Sequence, residues 1–311
     1  MNQDMSADPP PAKARWARLR AAIRKHVDDS SSSASQLPSA MSMFAFHPVE
    51  SLVLPDLAPR RSDYEWRRYP LPQPPYHLSL HTRKPDGNIS IHELAIQDVD
   101  NTGNIRTWPC EDLLWRILLA KFEQYHGPPL RFLELGAGMC GIAGLALGSQ
   151  LPASTLSSIV LTDGNTSCVD NLHVNLDVNV AHGNLRPHIA TAELLTWSRT
   201  MPPVVDPARQ FDVVIASDCL FFESFHLDLV HTLRHVTKPC SDTAIYLLQP
   251  SRGGSLDRFV ALAKDFFHVT VETDFDNDVT AKHAAFALDR QYIPSLHQPI
   301  LVTLRWPPHA V

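Results

Sequence analysis

Short apolar runs recur along the chain at 131–135, 158–162, 185–192, 211–217, 243–249, 268–272 and 300–306, each bounded by polar or turn-forming residues. Runs of this length read as strands buried on both faces. Between most of them lie longer stretches, such as 165–180 and 223–236, whose apolar positions repeat at helical spacing. Strand and helix therefore alternate from Thr107 onward, which predicts an α/β, doubly wound, mainly parallel sheet. Pro109 suits the first turn of a helix, Glu111 and Asp112 favour its positive end, and His126-Gly127-Pro128 stops it.

The pattern before Thr107 differs. Residues 64–96 read as short strands broken by Pro and Gly, with 76–81 and 89–94 flanking the turn Pro85-Asp86-Gly87-Asn88 as a hairpin. Residues 12–27 have helical composition, with Trp16, Leu19 and Ile23 on one face. The flanking stretches 1–11 and 28–40 are rich in Pro, Ser and Asp and read as disordered. Three regions follow: 1–42 with a basic helix, a β-rich extension over 43–106, and the main domain over 107–311.

Composition narrows the function classes. A chain of 311 residues with 44% hydrophobic content can bury a large core. Its formal charge of −6 gives no whole-chain attraction to nucleic acid. The basic stretch Lys13, Arg15, Arg18, Arg20, Arg24 and Lys25 is an exception that would suit an acidic partner, and Arg60, Arg61, Arg67 and Arg68 form a second local patch. The cysteines at 110, 140, 168, 219 and 240 are scattered and form no C-x-x-C, which argues for reduced thiols and against structural zinc. His231 and His235 lie four apart, yet no third ligand is near in sequence, so no metal is expected. No apolar run reaches the ~18–20 residues of a membrane span, and the amino-terminal stretch lacks a signal-peptide pattern. A cytoplasmic protein without membrane contact is expected.

The chemistry concentrates at strand ends. Glu134 precedes the turn Gly136-Ala137-Gly138-Met139-Cys140-Gly141, and Asp163 closes the following strand. A glycine turn at a strand-to-helix junction lets a ligand approach the backbone closely. The acid beside it suits a ligand carrying a cation, such as S-adenosylmethionine, and Asp163 suits ribose hydroxyls. The same turn satisfies G-x-G-x-x-G, so nicotinamide enzymes stay open at this point. Farther on, Phe211–Phe222 reads as a strand ending in Asp218 and two aromatics. An acid beside aromatic rings suits a slot for a cationic amine, and an ordinary capped strand end with both rings in the core is the plainer reading.

Taken together, Thr102-Gly103…Trp108-Pro109, Glu134-Leu135-Gly136-Ala137-Gly138, Leu161-Thr162-Asp163-Gly164-Asn165 and Asp218-Cys219-Leu220-Phe221 resemble the seven-strand protein-lysine methyltransferases of methyltransferase family 16. Arg252-Gly253-Gly254-Ser255-Leu256 and Leu296-His297-Gln298-Pro299-Ile300-Leu301 match as well, and within the family the likeness is greatest to the enzymes that act on calmodulin. The resemblance implies a Rossmann-like methyltransferase sheet with an antiparallel last strand and S-adenosyl-L-methionine as cofactor. It implies that Glu134, Gly136 and Gly138 frame the methionine end, Trp108 lines the pocket and Asp163 holds the ribose. Trp197 would lie by the adenine, and Ala216 would pass its backbone close to the cofactor. Asp218 and Phe221 would meet the substrate lysine, with calmodulin as protein partner and a monomer acting in the cytoplasm and nucleus. Cys140 stands where many relatives have a third glycine, and Thr196 where many have Asp. Another protein lysine or a histidine is the alternative acceptor. An oxidoreductase has no use for the Thr-Gly…Trp-Pro and Asp-x-x-Phe segments, and an inactive adaptor would be expected to have lost a motif residue.

Overall fold

The computed structural model describes residues 50–51, 58–84, 109–201, 210–221, 223–287 and 292–308. A three-stranded antiparallel sheet comes first, from β1 (Glu50–Ser51), β2 (Tyr64–Pro70) and β3 (His77–Arg83). The main domain follows as α1 (Pro109–Phe122), β4 (Leu130–Leu135), α2 (Ile142–Gln150), β5 (Leu156–Asp163), α3 (Thr166–Ala181), β6 (Ala190–Leu194) and β7 (Val213–Ser217). Next come α4 (His226–Val236), β8 (Ala244–Gln249), α5 (Ser255–Ala263), β9 (His268–Glu272), α6 (Asn277–Phe286), α7 (Pro294–His297) and β10 (Ile300–Arg305).

The seven main-domain strands lie in the order β6-β5-β4-β7-β8-β10-β9, and β10 runs antiparallel to both neighbours. This is the doubly wound sheet expected from the alternation of elements. Successive side chains along a strand point to opposite faces, so Val213 and Ile215 join one buried cluster with α1, α2 and α3. Val214 and Ala216 join the other with α4 and α5. Strand order reverses between β4 and β7, and such a switch point opens a crevice at the carboxyl ends of the strands.

One expectation from the apolar pattern changes in detail. Only 190–192 of the run 185–192 is strand, which continues to Leu194. Leu185 and Ile189 are buried in the turn that leaves α3, where Leu185 N donates to Asn179 O at 3.0 Å. An apolar run cannot by itself distinguish a strand from a buried turn. The hairpin that the structure describes pairs β2 with β3 across residues 71–76; the Pro85–Asn88 turn and the 89–94 arm lie outside the described residues. So do the basic helix at 12–27 and the stretches around it.

The hairpin docks on α3 through a stripe of asparagines. Asn179 accepts from Ser79 N at 2.9 Å and donates to Ser79 O at 2.8 Å, as a neighbouring strand would. One turn back, Asn175 accepts from His81 N at 2.6 Å; another turn back, Asn171 donates to His81 O at 2.8 Å. Residues four apart share one helix face, so side-chain amides complete the edge of β3 in a buried interface. Trp66 packs on Val174 and Val178 beside them.

Candidate functional site

Four loops meet at the carboxyl edge of the central strands. The first leaves β4. Phe132 and Glu134 share the face of β4 turned toward α2, and Glu134 is buried there with Oε2 accepting from Gly144 N at 2.8 Å. A Cβ on Gly144 would sit 2.5 Å from that oxygen, so glycine is what lets the helix close on the acid. Burial pushes the Glu134 carboxyl up to about 7, with the charge of Asp163 adding and the Gly144 amide opposing. Gly136 follows at φ +66°, and a Cβ on it would lie 2.7 Å from Cys219 Sγ and 3.6 Å from Trp197 Cζ2. The turn is thus roofed by the loop that leaves β7 and by the segment that follows β6.

The second loop begins at Asp163, at the end of β5. Its Oδ2 accepts from Gly138 N at 3.0 Å and its Oδ1 from Asn165 N at 2.8 Å, which ties the glycine turn to the start of α3. Burial raises its pKa, and the amides of Asn165, Gly138 and Gly164 hold it back. Asn165 caps α3 by accepting from Ser167 N at 2.9 Å. The outer wall of the turn is fixed by Met139 O, which accepts from Asn171 at 2.8 Å and Asn175 at 3.2 Å. The asparagines that seat the hairpin therefore also hold the turn.

The third loop leaves β7, and the fourth leaves β8. Asp218 has φ +52°, a conformation uncommon outside glycine, and its amide donates to Leu248 O at 3.0 Å. Arg252, from the fourth loop, grips its carboxylate with Nε at 3.0 Å from Oδ1 and Nη2 on Oδ2. Leu220 is clamped from beneath: its amide donates to Gln249 Oε1 at 2.9 Å, and its carbonyl meets Ser255 Oγ and His226 Nε2. Phe221 is 49% exposed. The core reading of this ring does not hold; Phe222 lies outside the described residues.

Of the site residues expected from sequence, Glu134, Gly136, Gly138, Asp163, Trp197 and Asp218 gather around these loops. Phe221 stands at the rim, and Ala216 lies buried in β7 beside them. Trp108 lies outside the described residues. Sequence reading assigned no role to Arg252, Gln249, Ser255 or His226, although Arg252 and Ser255 fell within a matching stretch. The arginines of the second patch are partly compensated: Arg61 pairs with Asp63 at 3.1 Å, which Arg83 from outside the patch shares at 3.3 Å, and Arg67 hydrogen-bonds Glu65 at 2.7 Å. His231 lies edge-on to Phe266 with centroids 5.7 Å apart.

The donor set defines what the crevice can hold. Glu134 and Asp163, acceptors when ionised, stand beside a turn with no Cβ at its closest point, so a fitting ligand brings positive charge and hydroxyl donors. S-adenosylmethionine has both, in its α-ammonium, sulfonium and ribose.

Comparison with known proteins adds the family. A family model described as lysine methyltransferase matches residues 90–266, more than half of the chain. Calmodulin-lysine N-methyltransferase of Arabidopsis thaliana is 29% identical over 279 residues, covering 86% of this chain and 87% of that protein. Protein N-lysine methyltransferase METTL21A of Mus musculus is 31% identical over 121 residues, covering 37% of this chain and 47% of its own. Among solved structures, the CurJ carbon methyltransferase superposes with a TM-score of 0.41 at 14% identity, covering 64% of this chain and about half (54%) of that one.

Proposed function

The chain belongs to the lysine methyltransferase family, and from that premise we propose that it transfers methyl groups from S-adenosylmethionine to a lysine ε-amine of calmodulin. The observation that carries this reading is the meeting of two loops at the switch point. Cys219, between Asp218 and Phe221, lies against Gly136, so a ligand on the glycine turn and an amine at Asp218 would be neighbours. The long match to the Arabidopsis enzyme supports calmodulin as the acceptor.

Glu134 would hold the α-ammonium and Asp163 the ribose. Trp197 and Trp108 would wall the pocket, and the backbone at Ala216 would pass beside it. When bound, the cofactor supplies an electrophilic methyl, and the amine lone pair forms the N–C bond as the S–C bond breaks with its electrons left on sulfur. The protein's part is to align a neutral amine and exclude water. Free lysine titrates near ~10.4, so the site has to favour loss of the proton. Asp218 would accept a hydrogen bond from the amine and so aim its lone pair, and Phe221 would flank it.

The test is mass spectrometry of calmodulin incubated with the enzyme and methyl-labelled S-adenosylmethionine. Mass increments of labelled methyl groups on one lysine are expected. Cofactor binding without any transfer to calmodulin would refute this acceptor, and transfer to another protein lysine would keep the family and change the substrate.

A further inference from the structure

The ion pair between Asp218 and Arg252 changes what the acid can do. Their side chains are 6% and 12% exposed, so the pair is largely withdrawn from water. Both residues hold left-handed backbone, at φ 52° and 50°. Such backbone is uncommon in side-chain-bearing residues and persists where the surroundings over-determine it. Here two such turns face each other across one bidentate contact. Arg252 is anchored in addition by its amide, which donates to Ser295 O at 2.7 Å in α7. Fork-to-fork geometry of this kind fixes direction as well as charge.

The remaining titratable groups near the pair come from every side. α1 contributes Cys110 and Glu111, and the Asp218 loop contributes Cys219. Burial pushes both thiols well up, so they stay neutral. Cys219 also feels Asp163 and Glu134 from the glycine-turn side. His297 of α7 is held below the ordinary imidazole value, by burial and then by Arg252. His226, under Leu220, is lowered chiefly by burial. Among the described residues, the carboxyl groups set around the pair are those of Glu111, Glu134 and Asp163.

A naked carboxylate at the acceptor would stabilise the ammonium form of lysine, which has no lone pair to give. We propose that Arg252 is the positioning residue that aims Asp218 and cancels its charge, so that the acceptor lysine enters as the neutral amine. This rests on the methyl-transfer reading above. It separates the two functions of Asp218: its oxygens stay available as acceptors while its field is largely removed.

The same field acts on the cofactor, which allows a test without any acceptor protein. S-adenosylmethionine carries a sulfonium and S-adenosylhomocysteine a neutral thioether, so the ratio of their affinities reports the charge near the transferred methyl. Calorimetry on the full chain should show Arg252→Gln binding the thioether within a few-fold of wild type while the preference for the sulfonium grows at least about threefold. Arg252→Lys should leave that preference nearly unchanged. The double variant Asp218→Asn with Arg252→Gln should return it to the wild-type value. Thermal melts identify a variant that fails to fold, and Asp218→Asn alone, which leaves the Arg252 charge uncancelled, should then lower the preference for the sulfonium at least about threefold, an unchanged ratio there overturning the proposal as well. Relative to the wild type, Arg252→Gln should have the acid limb of kcat with calmodulin moved to higher pH by about one unit. An unchanged affinity ratio in a folded Arg252→Gln would overturn the proposal, and so would a preference in the double variant equal to that of the single one. Failure of the wild type to methylate calmodulin would count against the acceptor alone, since the affinity ratio does not involve it.

Discussion

Glu134 joins stability to ligand binding at the scale of a single residue. Its carboxyl is raised in the folded chain from an ordinary value of 4.5 to about 7, chiefly by burial. A raised acid favours the folded state while protonated, and that contribution is lost as pH climbs through the folded value. Melting temperature of the ligand-free protein should therefore fall between about pH 4.5 and 7 and level off above. Over the same interval a ligand ammonium gains an ionised partner, so S-adenosylmethionine should bind more tightly as pH rises, up to the ~8 where its own α-amino group loses charge. Glu134→Gln should flatten both trends and weaken binding on the order of tenfold or more, as should Asp163→Ala for the affinity alone. Calorimetry across pH reads this directly, and a Glu134→Gln variant with wild-type affinity and slope would remove the acid from the cofactor site. Asp218 obeys a different expectation. Asp218→Ala should abolish most transfer yet leave S-adenosylhomocysteine affinity within a few-fold of wild type, while Phe221→Ala should slow turnover by the equivalent of ~0.5–2 kcal/mol. A fully active, folded Asp218→Ala would make this loop structural.

At the scale of elements, the asparagine stripe of α3 couples the hairpin to the glycine turn. Asn175 bonds both His81 and Met139, whereas Asn179 reaches Ser79 and its own helix but not the turn. Leaving buried donors or acceptors unmet costs about 1–3 kcal/mol each, so Asn175→Ala and Asn179→Ala should both lower the melting temperature by several degrees. Only Asn175→Ala should also weaken S-adenosylmethionine binding, because only it removes one of the two donors that hold the Met139 carbonyl, leaving Asn171 alone. Equal cofactor affinities in the two variants would show that the hairpin does not support the turn. These contacts also mark where sequence reading stopped. The glycine turn, Glu134 and Asp163 were legible because they are contiguous with a strand and follow the physics of a strand-to-helix junction. Three asparagines at helical spacing resemble a solvated face, since nothing local signals the strand edge 90 and more residues away that satisfies them. Arg252 was unreadable for a similar reason: its partner lies 34 residues away, and their approach depends on left-handed backbone at two residues that are not glycine. The run at 185–192 was misread because burial, which periodicity does report, is shared by strands and by turns beneath a helix.

At the scale of the whole molecule, charge sets the problem of recognition. Residues 111–311 carry 14 Lys and Arg against 21 Asp and Glu, so the main domain is acidic, as the calmodulin proposed above as acceptor would be too. Global attraction therefore cannot bring the two together, and docking has to be local. The β2–β3 patch is weakened for this purpose by its internal pairs with Asp63 and Glu65, although Arg60 and Arg68 are exposed. The basic stretch at 12–27, with six cations and no acid, is the stronger source of positive charge, and it lies outside the described residues. Contacts between exposed charges are screened within ~8 Å at physiological salt, so docking through this stretch predicts a KM for calmodulin that rises steeply with ionic strength while kcat changes little. Removing residues 1–40 should raise KM at low salt, flatten its salt response and leave cofactor affinity as it was. Steady-state kinetics of the full and shortened chains at low and high salt test this. The same KM and the same salt response in both would move recognition to the rim of the Asp218 crevice. There Phe221, Ile293 and Leu296 are exposed, and an apolar surface would read the substrate with little dependence on salt.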